Sequence, residues 1–192
     1  MKTMNKLIIL ASGSGSNAVK IIEYFENQND TIVSAVLTDN KHAGVLDKCK
    51  ALHVPTICFS AALFRSSTFI NLLNSFSPDL IILAGFLKKI PSEVIIQYPD
   101  KIINIHPSLL PKYGGKGMYG ANVHKAVKEN KELESGISIH YVNENYDEGQ
   151  IITQYKVEVG SDDSIEQIAK KVQRLEHLYI APTIEGILKN NG

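Results

Sequence analysis

Leu7-Ile8-Ile9-Leu10-Ala11-Ser12-Gly13-Ser14-Gly15-Ser16-Asn17-Ala18 is the stretch that decides the fold. Five apolar residues without alternation read as a strand buried on both faces, which parallel sheets require. A loop of serine and glycine follows, and Ala18, Val19, Ile21, Ile22 and Phe25 then recur at helical spacing. Strand, glycine loop and helix in that order make the first half of a β-α-β unit. The apolar run is too short for a secretory h-region of roughly 7–15 residues, so it reads as a first strand and not a leader.

Outward from this stretch the same grammar repeats. Residues 32–37, 54–58, 80–84 and 102–105 are further strand candidates, with helical patterns over 43–52 and 69–76 between them. The last third differs. Residues 137–142 and 150–159 read as two strands joined by a polar loop, an antiparallel addition to the sheet. A helix then starts near Ser164, with Asp163 and Glu166 at capping-pair spacing and Ile165, Ile168, Val172, Leu175 and Tyr179 as its buried stripe. Pro182 should kink or interrupt it. The expected fold class is α/β, a doubly wound and mostly parallel sheet with an antiparallel late strand pair and a C-terminal helix.

Composition narrows the function classes. The 192 residues carry 20 Lys+Arg against 20 Asp+Glu, so the net charge is +0, with no electrostatic footprint for nucleic acid or an anionic membrane. No apolar run approaches the ~18–20 residues of a membrane span. Cys49 and Cys58 stand at no metal-site spacing, so they read as reduced thiols of a cytoplasmic protein, and no metal site is expected.

Three constellations carry chemistry. The loop from Gly13 to Asn17 lets the backbone approach an anion at a helix N-terminus. It satisfies the dinucleotide pattern Gly-x-Gly-x-x-Ala, and Asp39 stands where a ribose-binding acid would, so a dinucleotide module remains open. The serines and asparagine favour a terminal monophosphate. The second is Asn104-Ile105-His106-Pro107-Ser108-Leu109-Leu110-Pro111. Side chains alternate along a strand, so Asn104 and His106 emerge on one face at a strand end, where open α/β sheets bind ligands. A lone buried histidine is ordinarily structural; the paired asparagine and the strand end turn the reading towards catalysis. The third is Tyr146-Asp147-Glu148-Gly149, by itself an ordinary acidic turn, with His140 on the strand that leads to it.

Taken together, Gly13-x-Gly15-Ser16-Asn17, Ala84-Gly85-Phe86, the string Asn104 to Pro111, and Asp147-x-Gly149 resemble the folate-dependent phosphoribosylglycinamide formyltransferase family, over nearly the whole chain. The resemblance implies transfer of a formyl group from 10-formyltetrahydrofolate, a co-substrate, to the amine of glycinamide ribonucleotide in purine synthesis. It implies catalytic roles for Asn104, His106 and Asp147, supported by His140 and Gly13; His106, if protonated, would donate a charge-assisted hydrogen bond, a state that the Asp147 charge favours. It implies nucleotide contacts at Gly15, Ser16, Asn17, Gln173 and Glu176. It also implies folate contacts at Arg65, Leu87, Lys88, Lys89, Ile90, Asn104, Asn143, Glu144, Asn145, Tyr146 and Asp147.

One domain over residues 1–192 is expected, its phosphate half about 1–100 and its folate and catalytic half about 101–192, working as a monomer or homodimer. Departures from the family pattern are the glycine-rich segment 112–119 and lysine at 88 and 89, where arginine is frequent. A methionyl-tRNA formyltransferase would add a tRNA-binding domain and a basic balance, and a formyltetrahydrofolate deformylase a regulatory domain.

Overall fold

The computed structural model describes residues 4–190. One seven-stranded sheet runs in the order β3-β2-β1-β4-β5-β6-β7. Its strands are β1 (Asn5–Leu10), β2 (Thr31–Thr38), β3 (Thr56–Cys58), β4 (Leu80–Leu83), β5 (Ile102–His106), β6 (Glu134–Tyr141) and β7 (Ile151–Glu158). The first five are parallel; β5 with β6 and β6 with β7 pair antiparallel.

Helices cover both faces because the central strands β1 and β4 carry unbroken buried apolar runs, Leu7 to Leu10 and Leu80 to Leu83. On β1, Leu7 and Ile9 face a core shared with α1 (Ser16–Phe25), α2 (Val45–Ala51) and the C-terminal helix. Ile8 and Leu10 face a second core with Phe64 of α3 (Ala61–Phe64), Phe69 and Leu73 of α4 (Ser67–Phe76) and Val94 of α5 (Ser92–Gln97). The sheet thus separates two apolar layers, each fed by alternate residues of the same strands. Three short helices escaped the sequence reading: α3, α5 and α6 (Ala121–Glu129). Only α6 carried a readable signal, Val123 and Val127 at i,i+4, both buried.

The C-terminal helix α7 runs unbroken over Ile165–Asn190 with Pro182 inside it, so the expected interruption does not occur. Proline removes one N–H, whose partner would be the carbonyl of Leu178, a half-exposed residue that water can reach. Ile180 and Ala181 before the proline and Ile184 and Ile187 after it are buried in one core, which holds both segments in line. The expected capping pair is also displaced by one residue. Ser164 Oγ accepts from Gln167 N–H at 3.2 Å and Gln167 Oε1 accepts from Ser164 N–H at 2.7 Å, a reciprocal capping box. Asp163 instead accepts from Gly160 N–H and pairs with Lys171.

Candidate active site

The carboxyl ends of β1, β4 and β5 open into a cavity of about 820 Å³, within the range of small-ligand sites. Two polar centres face it.

The first is the N-terminus of α1. Gly15 caps the helix in the left-handed conformation (φ 73°), no side chain caps it, and its first turn holds no acidic residue. Its leading N–H groups therefore stand open at the positive end of the helix dipole, an arrangement suited to an anion. A Cβ on Gly15 would lie 2.3 Å from Val45 Cγ2, so α2 packs where only glycine fits. From α7, Gln173 Nε2 donates to Ser16 Oγ at 3.4 Å and Glu176 Oε2 accepts from Asn17 Nδ2 at 3.1 Å. Burial raises the Glu176 carboxyl above its ordinary range, and the Asn17 amide opposes this. Asn17 Oδ1 is buried without a partner, an acceptor that a ligand hydroxyl or amine would satisfy.

The second centre gathers around Asp147. Asn104 Nδ2 donates to Asp147 Oδ1 at 3.3 Å, and His106 Nδ1 lies 3.5 Å from Oδ2. The antiparallel register sets Asn104 opposite His140, bringing His140 Nε2 within 3.1 Å of Asn104 Nδ2 and 3.6 Å of Asp147 Oδ1. Asp147 sits at φ 57°, a conformation aspartate tolerates, and Gly115 N–H donates to its Oδ2 at 2.9 Å.

Carbonyl acceptors fix both tautomers. His106 Nε2 donates to the Tyr113 carbonyl at 2.8 Å, and His140 Nδ1 to that of Tyr141 at 2.8 Å. His140 Nε2 is then free to accept from Asn104. Burial pushes the His106 pKa below its ordinary value, although the Asp147 carboxylate and the Tyr113 carbonyl pull it upward. The balance favours the uncharged ring in the resting site, where the sequence reading took His106 as a hydrogen-bond donor if protonated. Burial alone would raise Asp147, but the neighbouring His140 and His106 rings and the bond from Gly115 N–H hold it below the usual carboxylate range.

Most residues singled out by sequence line this one cavity: Gly13, Gly15, Ser16, Asn17, Leu87, Lys88, Lys89, Asn104, His106, His140, Asn143, Asn145, Tyr146, Asp147, Gln173 and Glu176. Three do not. Arg65 lies exposed at the end of α3, Glu144 points to solvent, and the Ile90 side chain is buried in the second apolar core. Sequence reasoning missed Lys116, Tyr119 and His124, which the glycine-rich segment and α6 bring to the wall, and Lys170 of α7. For Lys116 and Tyr119 the only signal was the glycine density after Lys112. Asp39 is committed elsewhere, to Ser12 and Lys88, and so is not free for a ribose diol as the dinucleotide reading requires. Among the described residues no group of three or more His, Cys, Asp or Glu could hold a metal, and no helix is long and apolar enough to cross a membrane.

The pattern of the family described as "Formyl transferase" matches residues 5–184. A phosphoribosylglycinamide formyltransferase of Bacillus subtilis is 32% identical over 194 residues, covering 98% of this chain and 97% of its own. A chloroplastic protein of that name from Arabidopsis thaliana is 39% identical over 183 residues, 91% of this chain. This chain spans only 63% of that plant protein. The solved structure of phosphoribosylglycinamide formyltransferase from Bacillus halodurans superposes with a TM-score of 0.88 at 28% identity, covering 98% of this chain and 97% of that one. Sequence pattern, full-length relatives and backbone agree: the chain belongs to the phosphoribosylglycinamide formyltransferase family.

Proposed function

We propose that this chain transfers the formyl group of (6R)-10-formyltetrahydrofolate to the amine of N1-(5-phospho-D-ribosyl)glycinamide, a step of de novo purine synthesis, in a cytoplasmic setting. The observation that carries the reading is the shared cavity. An open helix N-terminus suited to a phosphate and an Asn104–His106–Asp147 cluster suited to acyl transfer face the same space.

The α1 N-terminus with Gly15, Ser16 and Asn17 takes the phosphate, and Gln173 and Glu176 face the ribose and glycinamide. Leu87, Lys88 and Lys89 with Asn143, Asn145 and Tyr146 line the folate side. Ile90 anchors that wall from behind through its side chain in the second apolar core, while Arg65 and Glu144 serve only a part of the folate that extends beyond the cavity.

The amine nitrogen attacks the formyl carbon, charge builds on the formyl oxygen, and the carbon–N10 bond breaks. Neutral His106 accepts the amine proton on Nδ1, since Nε2 is held by Tyr113. Asp147 and the developing oxyanion stabilise the imidazolium, which returns the proton to the departing nitrogen. Asn104 stabilises the oxyanion through Nδ2–H, for which its 3.3 Å bond to Asp147 is the one exchanged. His140 keeps the Asn104 amide oriented throughout.

A turnover assay with glycinamide ribonucleotide and formylated folate, with water, other amines and NAD as controls, tests the reading. Asn104→Ala and His106→Ala are each expected to lower kcat by roughly 100–1,000-fold, as the loss of an oxyanion donor or acid–base group does. Nucleotide affinity should change by less than about threefold, because neither side chain touches the phosphate end. Near-normal kcat in both variants refutes the assignment; formyl transfer to a different amine alone selects another formyltransferase.

A further inference from the structure

Ser12 and Asp39 lie just outside the cavity wall, and neither has a place in the chemistry above. Ser12 nevertheless joins the carboxyl ends of three neighbouring strands. Its N–H donates to the Gly85 carbonyl at 3.1 Å and its own carbonyl accepts from Asn40 Nδ2 at 3.2 Å. Its hydroxyl donates to Asp39 Oδ1 at 2.7 Å and accepts from Leu87 N–H at 3.2 Å. The other oxygen of Asp39 pairs with Lys88 Nζ at 3.0 Å. The Asp39 side chain is only 10% exposed, whereas Lys88 is 40% exposed and reaches inward to meet it. One carboxylate thus grips the residue that opens the phosphate loop and, through Ser12 and Lys88, two successive residues of the folate-facing segment.

We infer that Asp39 is a positioning residue that locks the segment 87–90 to the phosphate loop, so that filling either substrate site favours filling of the other. This rests on the formyl-transfer reading of the two sites. A nucleotide held by Gly13 to Asn17 bears on Ser12, and through Ser12 and Asp39 on the backbone of Leu87 and the side chain of Lys88. Linkage makes the effect reciprocal.

Calorimetry with tetrahydrofolate, which has no formyl group to give, reads the coupling as the ratio of its Kd without and with saturating glycinamide ribonucleotide. The parent should show a ratio of about 5 or more, the lower end of ordinary coupling between sites. Asp39→Asn keeps an acceptor for Ser12 but loses the charge facing Lys88. Asp39→Asn and Lys88→Met should each bring the ratio towards about 1, and their combination should add nothing, since both remove one contact. Lys88→Arg should retain the parental ratio. So should Asp79→Asn, a carboxylate on Lys6 N–H at the amino end of the sheet. In steady state, Asp39→Asn should raise KM for formyltetrahydrofolate by about 3–10-fold with kcat within about twofold, because only ground-state positioning is lost. A parental ratio near 1 with turnover intact, or a parental ratio surviving in both Asp39→Asn and Lys88→Met, overturns the inference. A parent that binds neither ligand and does not turn over overturns instead the functional reading beneath it.

Discussion

At the scale of single residues, the decisive contest is between burial and charge at His106. The ring is 3% exposed, and burial outweighs the nearby carboxylate, so its pKa lies below the ordinary histidine value. A neutral base gains a proton as pH falls, so the acid limb of kcat/KM reports His106. Asp147→Asn removes the charge that raises this pKa, so the limb should move to lower pH, by about 1 unit for a neighbouring charge. The maximum rate should fall as well, because the imidazolium formed in the reaction loses its counter-charge. Asparagine tolerates the positive φ at this position, so the variant should fold. His106 and Asp147 influence each other's protonation, so the limb reports a macroscopic value of the pair. Superimposable profiles for parent and variant would remove Asp147 from the chemistry. The sequence revealed that Asn104 and His106 share a strand face, since alternation is local. It did not reveal that burial keeps the ring neutral, because burial is a property of the finished fold.

At the scale of elements, the phosphate loop makes a sharper prediction than the motif did. A side chain on Gly15 meets Val45, whose backbone Cα would lie 2.8 Å away, and the residue sits at φ 73°. Gly15→Ala should therefore destabilise the fold by about 1–3 kcal/mol, combining left-handed strain with overpacking. Gly13 also lines the cavity, but a Cβ there meets nothing within 4 Å. Gly13→Ala should melt within about 2 °C of the parent while raising the nucleotide KM. Thermal melts and steady-state kinetics on the pair separate packing from binding; equal melting points for the two variants would contradict the assignment. Helix α7 carries the complementary lesson. Its buried stripe was legible from 3.6-residue spacing, whereas the survival of the helix through Pro182 depended on the core gripping both sides of it.

At the scale of the whole molecule, the two halves anticipated from sequence are stitched together. Helix α7 crosses back onto α1, where Glu176 meets Asn17 and Glu185 accepts from Tyr24 Oη at 3.0 Å. The apolar layer beneath runs without a break from Leu7 to Ile187, and the sheet divides both cores. Residues 1–100 and 101–192 should therefore unfold as one cooperative unit. Far-UV circular dichroism and fluorescence of the 8 tyrosines, in a chain without tryptophan, should give coincident denaturant curves. Two separated transitions would divide the molecule where the sequence suggested its halves meet.

The sequence by itself determined what depends on neighbours along the chain. Unalternated apolar runs specified parallel strands buried on both faces, the glycine loop specified an open helix N-terminus, and alternation put Asn104 beside His106. The family resemblance supplied the remaining residues by position. Only the tertiary structure decided the long-range pairings. Asp147 reaches Asn104 across 43 residues, and Glu176 reaches Asn17 across 159. Sheet order and antiparallel register bring these groups together, and neither leaves a local trace. The same holds for charge state and strain. Whether His106 is protonated, whether Asp39 is free for a ribose, and whether Gly15 is needed for backbone or for space all depend on what packs against them. Packing is set by the whole chain at once, which is why these answers appear only in three dimensions.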